Sequence, residues 1–210
     1  MPLDTLELHL KLEKQNIIKM NIDKTIENLG GIVPLYPKKR TCPNEDYWAK
    51  VEKLVGEQIP IVYKNFATKY GVSTPNNLLK IVPFTEKAEY QHPESVDIPN
   101  YTFEETSISV FFGKGTDYDL VKTLKEFKNR MPAKFLPIAD DGMGNLIVIS
   151  LNLKDYEKVY FWDSDAEWDS EDYLEETGKM MPEEVKYQNL WLIGSNFENF
   201  WERLSIDEWE

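Results

Sequence analysis

Apolar positions along this chain change period several times, and each change marks an element. Leu6, Leu8, Leu10 and Leu12 alternate with Glu7, His9, Lys11 and Glu13, the period of two that gives a strand one buried face. Asn21 or Asp23 suits the cap of a short helix through Ile26 and Leu29, closed by Gly30-Gly31, before Pro34 and Pro37 interrupt regular structure near the basic Lys38-Lys39-Arg40. From Asn44 the spacing becomes helical, with Trp48, Val51, Leu54 and Val55 on one stripe until Gly56. Pro60 fits the first turn of a second helix carrying Tyr63, Phe66, Ala67 and Tyr70. The two helices are expected to share a buried seam.

Downstream the pattern turns to strands. A loop rich in Ser, Pro and Asn at 73–77 leads to a strand predicted from Leu78 to Phe84, and the polar, Pro-interrupted stretch from Thr85 to Glu105 reads as the most mobile part of the domain. Ile108-Ser109-Val110-Phe111-Phe112 predicts another strand. Leu120, Val121, Leu124 and Phe127 then predict a third helix from Tyr118 to Phe127, with Asp117 as its cap. Leu146 to Leu151 is short, aliphatic and bounded by turn residues, the pattern of a buried strand, and Lys158-Val159-Tyr160-Phe161-Trp162 is β-branched and aromatic. The polar linker around Asn152, Lys154 and Asp155 predicts an antiparallel pair closed by a loop longer than a tight turn. Only one helix falls between strands, which favours α+β over a doubly wound α/β sheet. There is no internal repeat or low-complexity segment.

Composition narrows the class. The chain has 210 residues, enough for one domain with a substantial core, and its 41% hydrophobic and 13% aromatic content sets it apart from disordered chains despite a net charge of −13. The first residues lack a basic stretch followed by an apolar one, and no segment approaches the roughly 20 apolar residues that span a bilayer, so a cytoplasmic protein without a membrane partner is expected. The single cysteine, Cys42, excludes an internal disulfide and multi-cysteine zinc sites. The charge is uneven. Residues 1–80 hold 12 Lys/Arg against 9 Asp/Glu, whereas 81–210 hold 12 against 28, and Asp163 to Glu176 contains eight acids and no base. Such a block disfavours nucleic acid and favours a basic protein partner. A solvated loop that keeps the chain soluble is the other reading.

Motifs for chemistry fail one by one. His9 stands on the polar side of a strand and His92 beside Pro93, and neither adjoins a nucleophile motif. Phe112-Gly113-Lys114-Gly115-Thr116 hints at a phosphate loop, but Ile108 stands where a Walker loop needs its first glycine and Gly115 where it needs Ser or Thr. A calcium loop starting at Asp163 would require Gly at Trp168 and a carboxylate at Leu174. No catalytic residue, metal ligand or cofactor is therefore assigned. The most informative stretch runs from Phe135-Leu136-Pro137-Ile138-Ala139 through Asp140-Asp141-Gly142-Met143-Gly144-Asn145 and the two apolar runs to Trp162-Asp163-Ser164-Asp165. Asp140, Asp141, Gly142, Gly144 and Asn145 suit a chain-reversing turn, since Gly tolerates positive φ and Asp or Asn side chains bond nearby backbone. Asp163, Asp165, Glu167, Asp169, Glu171 and Asp172 are the candidate partner-binding acids, with Trp162 or Trp168 as aromatic anchor.

That stretch resembles the signature of the SUKH superfamily, which includes bacterial immunity proteins and fungal cell-wall-synthesis regulators. Trp48, Glu52, Leu54, Ile59-Pro60, Tyr63, Phe66 and Tyr70-Gly71 resemble the family's opening helical pair, and Ser195, Phe197, Phe200 and Leu204 its closing helix. Where the family shows Asn-Gly-Gly after the second helix this chain has Tyr70-Gly71-Val72, so its turn there is built differently. The resemblance implies a single SUKH-like domain over 45–210, a mainly antiparallel sheet packed with helices; residues 1–44 lie outside it and read, from their own pattern, as an N-terminal strand and helix extension. It further implies an immunity protein that binds a cognate secreted toxin, such as a nuclease, and neutralises it by occlusion. A regulatory protein-interaction module of the cell-wall-synthesis or signalling kind is the alternative, and an enzyme the third class. The acidic and aromatic candidates rest on charge and placement, not on the resemblance.

Overall fold

The computed structural model describes residues 22–84 and 104–207. The strand expected around Leu6 to Leu12, nearly all of the stretch from Thr85 to Glu105, and both histidines fall outside the described residues. Helix α1 (22–28) buries Ile22 and Ile26 and leads to β1 (Ile32–Pro34). Helices α2 (Glu45–Val55) and α3 (Ile61–Tyr70) form the expected seam, where the Trp48 ring meets Tyr63 edge-on at 6.1 Å. One position departs from the predicted stripe. Leu54 faces solvent and Tyr47 is buried in its stead, with its hydroxyl donating to the Gly113 carbonyl and accepting from the Val121 amide. A tyrosine can occupy that inward position because both functions of its hydroxyl find partners.

Strands β2 (Ser73–Pro75), β5 (Val110–Phe111), β6 (Phe135–Asp140), β7 (Leu146–Ser150), β8 (Val159–Trp162) and β9 (Leu190–Gly194) join β1 in a seven-stranded sheet, ordered β1-β2-β5-β6-β7-β8-β9. Every pairing is antiparallel. All of β7 and β8 is buried, because both faces of these central strands are covered. A second sheet, β10-β3-β4, is built from β3 (Leu79–Ile81), β4 (Thr106–Ile108) and β10 (Ser205–Ile206).

The strand predicted over Ile108 to Phe112 is divided between these sheets. Thr106 to Ile108 pair with β3, while Val110 and Phe111 pair with Asp140 and Ala139 of β6. Ser109 makes the change, its amide donating to the Asp140 carbonyl. The loop predicted at 73–77 contributes β2, and the strand predicted from Leu78 to Phe84 shortens to β3.

Helices cover the large sheet. Phe66 of α3 and Trp201 of α6 (Phe197–Arg203) meet Phe111, Trp201 stacking on it at 5.1 Å, while Phe197 packs on Phe66 and Phe200 on Trp201. Helix α4 (Leu120–Glu126) packs on β6 and sets Phe127 edge-on to Trp162 at 5.5 Å. Its cap is Asp119 rather than Asp117, since only Asp119 places a carboxylate oxygen 3.0 Å from the Lys122 amide, three residues on. Asp117 instead pairs with the Lys122 side chain. Helix α5 (Ser170–Thr177) and a 3-10 helix (Glu183–Tyr187) lie between β8 and β9. The architecture is α+β.

Candidate protein-interaction site

The turn between β6 and β7 is organised by one buried carboxylate. Gly142 and Gly144 adopt φ of 82° and 103°, a region glycine enters without a Cβ penalty. Asp141 faces inward beneath them. Its Oδ1 accepts from the Met143 amide at 2.8 Å and the Asn145 amide at 3.2 Å, and its Oδ2 accepts from Asn145 Nδ2 at 2.7 Å. The other end of the same amide, Asn145 Oδ1, accepts from Ser164 N and Ser164 Oγ, each at 2.9 Å. Asn145 thus ties the turn to the segment leaving β8.

That segment is fastened on its far side too. The Asp163 amide donates to the Asn189 carbonyl at 3.0 Å, Asn189 Nδ2 returns a bond to the Asp163 carbonyl at 2.6 Å, and Asp163 Oδ1 accepts from the Asp165 amide at 2.9 Å. Arg130 holds the next turn. Its guanidinium bonds Glu167 through Nε at 3.0 Å and Nη2 at 2.6 Å while lying over the rings of Phe127 and Trp162. Asp169 then caps α5, accepting from the Glu171 amide at 2.7 Å. The Trp168 ring stands edge-on to buried Tyr173 at 5.8 Å.

Burial and like charge act on the carboxylates at the base. Asp140 is pushed up to about 6 from an ordinary 3.8, chiefly by burial and then by Asp141, against the opposing amides of Gly142 and Val110. One of its oxygens is buried without a hydrogen-bond partner among the described residues. Burial also raises Asp163, with Asp165 and Asp141 adding to it. These acids do not make a metal centre: among the described residues no group of three or more His, Cys, Asp or Glu is arranged to hold a metal ion.

The predicted partner-binding residues separate into two groups. Trp162 is 0% exposed and Asp163 is buried beside it, so neither presents a side chain to solvent. Their neighbours do. Asp165, Asp169, Glu171 and Asp172 are exposed, and Glu167 and Trp168 are half-buried. The structure adds Met143, 76% exposed at the tip of the turn, together with exposed Leu174 and Met180 around the acids. Met143 lies between two turn glycines, which was the available signal for it. Arg130 had none, since 37 residues separate it from Glu167. No helix among the described residues is long and apolar enough to cross a membrane.

Residues 42–203 match the SMI1 / KNR4 family (SUKH-1). The chain is also 28% identical over 130 residues to the SPbeta prophage-derived uncharacterized protein YokK of Bacillus subtilis (strain 168), an alignment covering 60% of this chain and 64% of that relative. The match thus spans a little under two thirds of the relative's length. No solved structure gives a significant match.

Proposed function

The chain belongs to the SMI1 / KNR4 family (SUKH-1), and from that premise we propose that it is an immunity protein, which binds a cognate secreted toxin and neutralises it by covering the toxin's working face. The observation that carries this reading is the exposed acidic face of Asp165, Asp169, Glu171, Asp172, Glu175 and Glu176, fastened to the sheet through Asn145, Asn189 and Arg130. A toxin that acts on nucleic acid carries a basic face to meet phosphate, and a fixed negative surface competes for that face. Half-buried Trp168 and exposed Met143 and Leu174 supply apolar contact among the acids. The prophage origin of YokK fits a protein that travels with a toxin on a mobile element.

The test begins with affinity capture from toxin-exposed culture and proceeds to kinetics with the partner obtained. Replacing Glu171, Asp172 and Glu175 by Lys should slow association by about tenfold or more at low salt and flatten its salt dependence, while dissociation changes less. Unchanged association would remove this face from the interface. A captured signalling or cell-wall-synthesis protein in place of a toxin would assign the chain to the regulatory branch. Turnover of a metabolite by the purified protein, abolished by one substitution, would make it an enzyme.

A further inference from the structure

The opposite end of the large sheet carries a second surface. The Asp141 to Asn145 turn precedes β7 and the 151–158 loop follows it, so about 17 Å of strand separates the two. Tyr156 of that loop lies against the corner between α2 and α3, its hydroxyl donating to the Gln58 carbonyl at 3.4 Å, and Lys134 pairs with Glu57 alongside. Ile61 opens α3 at the same corner. Three apolar side chains face solvent here: Leu153 at 98%, Ile61 at 46% and Tyr156 at 43%. The loop that presents two of them is internally bonded. Asp155 accepts from Ser150 Oγ at 2.6 Å and from Tyr160 Oη at 2.8 Å, and Asn152 Nδ2 donates to the Ala133 carbonyl at 3.2 Å. An aliphatic tip held out by such bonds cannot fold back to bury itself, and exposed apolar surface rimmed by polar groups marks interaction sites.

Charge at this end specifies the occupant. Val159 pairs with Gly194, which brings Glu157, two residues before the one, to the same edge as Glu198, four residues after the other. Both carboxylates are half-buried and neither forms an ion pair among the described residues. Lys64 and Lys134 are engaged by Glu52 and Glu57, and Lys154 and Lys158 of the loop pair with neither acid. Burial, then the charge of Glu198, raises Glu157, and burial, then Glu202, raises Glu198. Glu157 also holds φ at 71° without being glycine, a local cost sustained only where the surrounding bonds dictate it.

We propose that this end of the sheet is a second protein-docking surface, which takes a basic polypeptide segment, with an apolar side chain against Tyr156 and Leu153 and a Lys or Arg between Glu157 and Glu198. A cation there replaces like-charge repulsion by charge-assisted hydrogen bonds. A second copy of the chain is the less well matched occupant, because it would bring its own two unpaired carboxylates into the contact along with any cation. Since the acidic face around α5 lies at the other end of β7, both surfaces can be occupied together, and this inference does not depend on the identity of the partner bound there.

The experiment is a titration of the 15N-labelled full chain with the capped pentapeptide Ac-LRLRL-NH2, and with Ac-LELEL-NH2 as its opposite-charge counterpart. Saturable amide shifts at 58, 59, 61, 153–157 and 198 are expected with the arginine peptide alone. Glu157→Gln with Glu198→Gln should weaken that site by about tenfold or more. Leu153→Asp, at a position too exposed to affect folding, should do the same, and Glu171→Lys with Asp172→Lys should leave it unchanged. The inference is overturned by shifts confined to 165–176, by the absence of a saturable shift at 153–157, or by affinity that ignores the Glu157→Gln and Glu198→Gln changes. Self-association abolished by Leu153→Asp would give the surface to a second copy and overturn it equally.

Discussion

Asp141 gives the Gly-rich turn the hydrogen-bond acceptors that its own backbone cannot supply, and Asn145 passes that order on to Ser164. Replacing Asn145 with Ala strands one oxygen of a buried carboxylate and two donors of Ser164. The expected loss is about 1–3 kcal/mol, read from the denaturant midpoint, with faster amide exchange at Ser164 and Asp165 than in β7. An unchanged midpoint would show the staple to be dispensable. Asp140 acts in the opposite sense. Its folded-state pKa of about 6 lies above the ordinary 3.8, so between those values the native state binds more protons than the unfolded chain. The stability from this group is complete below pH 4 and is lost as pH rises through about 6. Asp140→Asn should therefore stabilise the protein at pH 7 by about 1 kcal/mol, allowing for solvent screening of a group that is not fully buried. Urea midpoints of variant and parent should converge as pH falls from 7 to 4. A gap that stays constant would sink this assignment.

Among the elements, the end of α4 adds a third anchor to the acidic loop, beside those from Asn145 and Asn189. Arg130, just past that helix, packs on Phe127 and Trp162 and forks onto half-buried Glu167. Arg130→Ala should cost about 1 kcal/mol and speed amide exchange across 163–169 while leaving β7 and β8 protected. Arg130→Lys should restore little of that order, because an ammonium neither forks nor stacks. Equal exchange in all three proteins would show that the latch does not hold the loop.

For the whole molecule, the net charge of −13 opposes the compact state by self-repulsion. Raising NaCl from about 10 mM to about 150 mM should raise Tm, and the lysine variant of α5 should respond less. A Tm independent of salt in the parent would mean that its ion pairs and its repulsion cancel. Such bulk electrostatics are legible in the residues alone, as are the helical stripe of Trp48 and Val51, the runs that became β7 and β8, and the shape of the Asp-Gly-Met-Gly-Asn turn. Each depends on neighbours within a few positions, so period, turn chemistry and charge carry the whole signal. Other features depend on distant partners. Ser109 divides its strand because β3 and β6 compete for adjacent residues. Leu54 yields its inward place to Tyr47 because Gly113 and Val121 satisfy the hydroxyl. Trp162, beside acids in the chain, sinks from view because β7 and β9 flank it and Phe127 and Arg130 close over it. Local pattern determined which faces are apolar and where the chain reverses; tertiary packing alone decided which acids reach solvent, because burial is set by the elements that arrive from elsewhere in the chain.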